Sequence, residues 1–133
     1  MGTFDAIGIA GTGMTVQRKW LDAVADNLAN VNTVRPSDEA AFQARYVVAR
    51  ATSYGEPAGT QVAGIALGAP EGRMVYEPDH PMADAEGYVR YPDIDMASQM
   101  TQLIMAQRAY QANAAVVDRA RETYQAALQI GRS

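Results

Sequence analysis

No glycine or proline interrupts the stretch from Asp93 to Ile130, and that limits what the chain can become. A helix over this stretch is on the order of 50 Å long at about 1.5 Å per residue, well beyond the usual helix of a small domain. With 133 residues in all, the chain cannot wrap a compact core around it, so part of the helix surface needs other molecules. Asp93 or Asp95, just after Pro92, is placed to cap the first free amides and oppose the positive end of the helix dipole. A three-four spacing then runs through Met96, Met100, Leu103, Gln107 and Tyr110, and on through Ala114, Val117, Arg121, Tyr124 and Leu128, as in a coiled-coil seam.

A second seam opens the chain: Ile7, Ala10, Met14, Gln17, Leu21, Val24 and Leu28 alternate at three and four, while Arg18, Lys19, Asp22 and Asp26 fall off it. This pattern predicts an amphipathic helix over residues 3 to 30, ended by Pro36 and the turn-forming residues around it. Gly8, Gly11 and Gly13 loosen its first turns or allow a neighbouring backbone to come close. Asn27 and Asn30 are poor helix formers that favour caps and side-chain hydrogen bonds. Asn30 ends the helix, and Asn27, a turn earlier, is free to bond a partner.

Residues between the seams differ in character. Short β-branched or apolar runs at 46–51 and 61–67 are bounded by Gly55, Pro57, Gly59, Gly64 and Gly68, which reads as strands and turns. A further strand is expected at 87–90, after the turn-rich Glu77-Pro78-Asp79-His80-Pro81. The fold class is therefore α+β and mainly helical: an N-terminal helix within 1–33, a small β-rich insert at 34–92, and a C-terminal helix within 93–133. The two helices pack in coiled-coil fashion and together form the assembly core.

Composition argues against chemistry. The net charge of −4 contains no cationic cluster of the kind that neutralises phosphates or an anionic membrane surface, so neither nucleic acid nor membrane is an expected partner. Without cysteine there is no thiolate metal site or cysteine nucleophile. His80 is the single histidine, and with Asp79, Asp84 and Glu86 it makes no known ligand spacing. Ser37, Ser53, Ser98 and Ser133 occupy no nucleophile elbow. No catalytic residue, metal or cofactor is expected. Residues 1–17 lack the cationic start and apolar run of a secretory signal, and no apolar run reaches the roughly 20 residues of a membrane span.

Three segments carry a resemblance. Ala25-Asp26-Asn27-Leu28-Ala29-Asn30, followed by Asn32-Thr33, and Arg108-Ala109-Tyr110-Gln111-Ala112-Asn113 resemble the paired terminal signatures of the axial family of flagellar rod, hook and hook-associated proteins. The insert, from Val75-Tyr76-Glu77-Pro78-Asp79-His80-Pro81-Met82 through Gly87-Tyr88-Val89 to Pro92-Asp93-Ile94-Asp95, is similar to the proximal-rod branch of that family. Asp79 stands where glycine is frequent and Asp93 where asparagine is. The resemblance implies a structural subunit of the basal-body rod. Its neighbours would be other rod proteins and copies of itself, and it would cross to the periplasm through the flagellar type III export apparatus without a cleaved signal. Seams and signatures together give the expected subunit interface: Ile7, Met14, Leu21, Val24, Asn27, Leu28 and Asn30 on the first helix, and Met100, Leu103, Tyr110, Asn113, Val117, Tyr124 and Leu128 on the second. A helical adaptor that binds one different protein through the same seams is the alternative reading.

Overall fold

The structure, a computed structural model, describes residues 2–52 and 58–132. Met1, Ser53, Ser133 and the expected turn residues Gly55 and Pro57 lie outside the described residues. Both long helices form where the uninterrupted patterns require them: α1 over Thr3–Ala29 and α2 over Met96–Gly131. Asp95 is the carboxylate that caps α2, with its Oδ1 accepting from the Ala97 N–H at 3.2 Å and its carbonyl from the Gln99 N–H at 3.0 Å. Asn30 closes α1. Its amide Nδ2 donates to the Asp26 carbonyl at 2.9 Å while its Oδ1 accepts from the Thr33 hydroxyl at 3.0 Å, so the side chain reinforces the Asp26 carbonyl that already takes the Asn30 N–H at 3.2 Å and fixes the turn that follows.

Among the described residues five strands separate the helices: β1 (Arg35–Pro36), β2 (Arg45–Ala51), β3 (Thr60–Leu67), β4 (Arg73–Tyr76) and β5 (Tyr88–Tyr91). They form a three-stranded sheet in the order β1-β5-β4 and a two-stranded ribbon of β2 and β3. β5 is antiparallel to both neighbours, pairing Pro36 and Val75 with Val89. β1 and β4 are additional to the expected strands. Each is too short for an alternating pattern, and both exist because distant β5 supplies their backbone partners. Gly87, expected to open β5, instead sits in the turn before it with φ +87°.

The chain gathers into two compact units, one of Met1–Leu21, Val47–Gly64 and Ile104–Ser133, the other of Asp22–Tyr46 and Ile65–Leu103. In the second, Val31, Ala44 and Ile94 form a cluster packed by Phe42, and Val89 and Pro92 are fully buried. Val89 is the central-strand residue with no exposure, so its register fixes which face of the sheet is covered. Gly72 has φ +54° and lies against the Tyr91 carbonyl and Ala41. The Tyr91 hydroxyl donates to Glu77 at 2.9 Å, and this bond to a carboxylate raises the phenol above its ordinary range.

Asp84 organises the loop before β5. Its Oδ1 accepts from the N–H groups of Glu86 (3.0 Å) and Tyr88 (2.9 Å). These bonds, that from Tyr88 foremost with help from the Ser37 side chain, hold the carboxyl below its ordinary 3.8. A depressed carboxyl contributes stability that is present above that ordinary value and lost as pH falls through the lowered one. Amide exchange at Glu86 and Tyr88 should therefore rise on acidification below about pH 4 relative to the rest of the sheet, and Asp84→Ala should show the raised rates already at neutral pH. Unchanged protection in the variant would remove Asp84 from this role.

Candidate assembly surface

In the first unit α1 and α2 meet through small and polar groups. Ala10 and Ala106 are its fully buried apolar residues among those described, and Gly13 admits Asn113, whose Nδ2 would lie 2.8 Å from any added Cβ. That same Nδ2 donates to Gln17 Oε1 at 3.1 Å, so Asn113 spans one turn of α1 from Gly13 to Gln17. Gly8 and Gly11 meet nothing within 4 Å; of the three glycines only Gly13 serves close approach. Phe4 packs edge-on against Tyr124 with centroids 5.0 Å apart. The Thr12 hydroxyl accepts from the Thr60 N–H and donates to the Ile9 carbonyl, tying β3 to the helix.

Asn27 is the centre of the corresponding contact in the second unit. It is completely buried. Its Nδ2 donates to the Arg45 carbonyl at 2.9 Å and to Gln99 Oε1 at 3.1 Å, and its Oδ1 accepts from the Arg45 N–H at 2.7 Å. One amide thus joins α1, the first residue of β2 and α2. The expectation that Asn27 is free for a partner is corrected: its hydrogen-bonding capacity is taken up inside its own chain. The Asp26–Arg45 ion pair beside it, at 2.8 Å, is half-exposed and adds little by itself.

The anticipated interface residues divide by environment. On α1, Val24 is buried like Asn27, whereas Ile7, Met14, Leu21, Leu28 and Asn30 are half-buried. Ala10 of the same seam is buried, and so are Ala23 and Asn27, which lie off it. On α2, Leu103, Tyr110, Asn113 and Val117 are half-buried, and Met100, Tyr124 and Leu128 are exposed. Here the inward register is corrected at Met100, Gln107 and Arg121, which are exposed while Gln99, Ala106 and Ala120 beside them are more covered; Asn113 and Ala114 are equally half-buried. A close helix pair selects short side chains where Cα atoms approach, so alanine and amide side chains take positions that hydrophobicity alone assigns to methionine. Met96, a member of the expected seam, also faces outward, and spacing did not reveal the outward apolar residues Ile104, Met105, Val116 and Ile130.

Among the described residues no group of acidic or histidine side chains could hold a metal ion, and no helix is long and apolar enough to cross a membrane. His80 serves its turn, with Nδ1 accepting from the Met82 N–H at 3.0 Å.

The family pattern described as flagella basal body rod protein matches residues 7–36, and that described as flagellar basal body rod FlgEFG protein C-terminal matches 85–130. The flagellar basal-body rod protein FlgC of Escherichia coli O157:H7 is 33% identical over 134 residues, spanning 99% of this chain and all of the relative. The chain belongs to the flagellar basal-body rod protein family. FlgC of Borreliella burgdorferi is 30% identical over 149 residues and FlgC of Bacillus subtilis 27% over 150 residues, each with nearly complete coverage of both chains. The two rod-family matches fall on α1 with its capping turn and on β5 with nearly all of α2. They include both polar contacts, Asn27 with Gln99 and Gln17 with Asn113.

Proposed function

We propose that this rod-family chain, a structural subunit and not an enzyme, builds the basal-body rod through an assembly core of 1–33 and 93–133, with 34–92 as its insert. Neighbours are copies of itself and other rod proteins, and family membership supports delivery through the flagellar type III export apparatus. The observation that carries this reading is the poverty of the first unit's own core. It fully buries Ala10 and Ala106, yet leaves Phe4, Ile104, Met105, Val116, Tyr124, Leu128 and Ile130 exposed. Fully covering one such large side chain contributes roughly 1.5–3 kcal/mol, so a tube of neighbouring helices supplies what the monomer lacks. A repeated contact that does not close gives a filament.

The test is Leu128→Asp beside Gln125→Asp, both on the exposed end of α2. Neither should move monomer stability by more than about 0.5 kcal/mol, as for surface substitutions generally. Leu128→Asp should abolish motility and basal-body recovery because a carboxylate enters a dry contact, while Gln125→Asp should retain most of both. Normal rods from Leu128→Asp would show that this end of α2 is not an assembly surface.

A further inference from the structure

Charge divides along the two compact units and not along the boundary between helices and insert. The first unit holds seven Lys or Arg against four Asp or Glu, the second four against eleven. On the first unit Arg18 and Lys19 stand exposed on α1 between two grooves. One, of about 370 Å³, is lined by Gly11, Met14, Thr15 and Tyr110 together with both cations. The other, of about 280 Å³, is lined by Thr12, Val16, Thr60 and Val62 with Lys19. Among the described residues neither cation has a carboxylate within ion-pair distance.

The second unit offers the complement. Asp38, Glu39 and Glu71 rim a shelf with Ala40 and Pro70. Arg90, the cation in that shelf, donates its guanidinium N–H groups to the backbone carbonyls of Ser37, at 2.6 Å, and Glu71. Arg35 reaches Glu39 only at 4.0 Å with both side chains exposed. The Asp38 and Glu71 carboxylates are thus left without a cation partner among the described residues.

We propose that the Asp38–Glu71 shelf of one copy docks on the Arg18–Lys19 ridge of the next. The proposal rests on the reading of the chain as a rod subunit that touches copies of itself. Charge complementarity selects the occupant: the ridge needs an acidic surface, and each chain carries one on its other unit. Opposite fields steer such an encounter and fix its orientation. Because the two patches differ, the contact is heterologous and extends from copy to copy instead of closing.

The chain has no cysteine, so introduced thiols report the contact directly. Cells co-expressing Lys19→Cys and Glu71→Cys chains should yield, on oxidation, a disulfide dimer of twice the chain mass in purified basal bodies, absent when either variant is present alone. Arg18→Cys with Asp38→Cys provides a second pair should the first fail to assemble. Lys19→Glu and Glu71→Lys should each reduce motility alone and restore it when co-expressed, since alternating copies then pair opposite charges at both contacts. Rods recovered without the dimer, a crosslink only to a chain of different mass, or motility that stays lost in co-expressing cells would overturn the copy-to-copy contact while leaving rod membership intact. Absence of the chain from basal bodies would remove the rod reading itself, and this inference with it.

Discussion

Asn27→Ala should lower the stability of the second unit by roughly 2–4 kcal/mol, because truncation removes three hydrogen bonds and takes away the partner of the buried Gln99 side chain and of the Arg45 backbone. In thermal melts followed by circular dichroism this corresponds to a fall in Tm on the order of 10 °C. Asn27→Asp is a sharper variant. It keeps an acceptor for the Arg45 N–H but turns a carboxylate oxygen toward the Arg45 carbonyl and Gln99 Oε1, in a site with no exposure, where an uncompensated charge is costly. Both variants should therefore be destabilised, with Asn27→Asp at least as strongly at neutral pH. If Asn27→Ala melts with the parent chain and only assembly fails, Asn27 acts between subunits after all, and the protomer contacts described here are secondary.

Gly72→Ala should be more damaging still. The position combines φ +54° with a place where an added Cβ would lie 2.1 Å from the Tyr91 carbonyl oxygen and 2.6 Å from the Ala41 Cβ. The left-handed conformation alone costs about 1–2 kcal/mol for a residue with a side chain, and overpacking against backbone adds about 1–3 kcal/mol. The obstructing oxygen belongs to Tyr91, which pairs with Arg73 where β4 meets β5, so it cannot retreat without opening the sheet. Loss of roughly 3–5 kcal/mol is expected, a large share of the roughly 5–15 kcal/mol by which a folded domain is stable. Gly64→Ala, where nothing lies within 4 Å, is the control and should be close to neutral. Equal urea midpoints for the two variants would show that the Gly72 turn yields easily.

Much of this fold is legible in the sequence because the long helices announce themselves locally. The uninterrupted run after Pro92, the capping Asp95 and the closing Asn30 each act within a few residues of their own position. Strands β1 and β4 are illegible for the opposite reason, since two and four residues hold a strand only when β5 is already beside them. Asn27 marks itself as unusual by being an amide inside a helix. What it bonds depends on Arg45 and Gln99, 18 and 72 residues away, and no local pattern encodes that. The α2 register fails more instructively. Met100 outranks Gln99 on any scale of hydrophobicity, yet Gln99 is 2% exposed and Met100 48%. An amide with a buried amide partner is satisfied, and the methionine is left facing outward, where the proposed neighbours lie.

The amide contacts also decide how a helix pair responds to shear. An apolar seam is non-directional and tolerates sliding, since one methylene serves much like the next. Hydrogen bonds require near-linear geometry, so a slip of one residue, about 1.5 Å along the axis, forfeits them. Among the described residues each unit holds such a catch, Asn27 with Gln99 in one and Asn113 between Gly13 and Gln17 in the other. Twisting load on the pair is therefore met first by stretching bonds that recover when the load is released. Permanent creep of one helix past the other demands breaking these amide bonds, of which the one between Asn27 and Gln99 is buried.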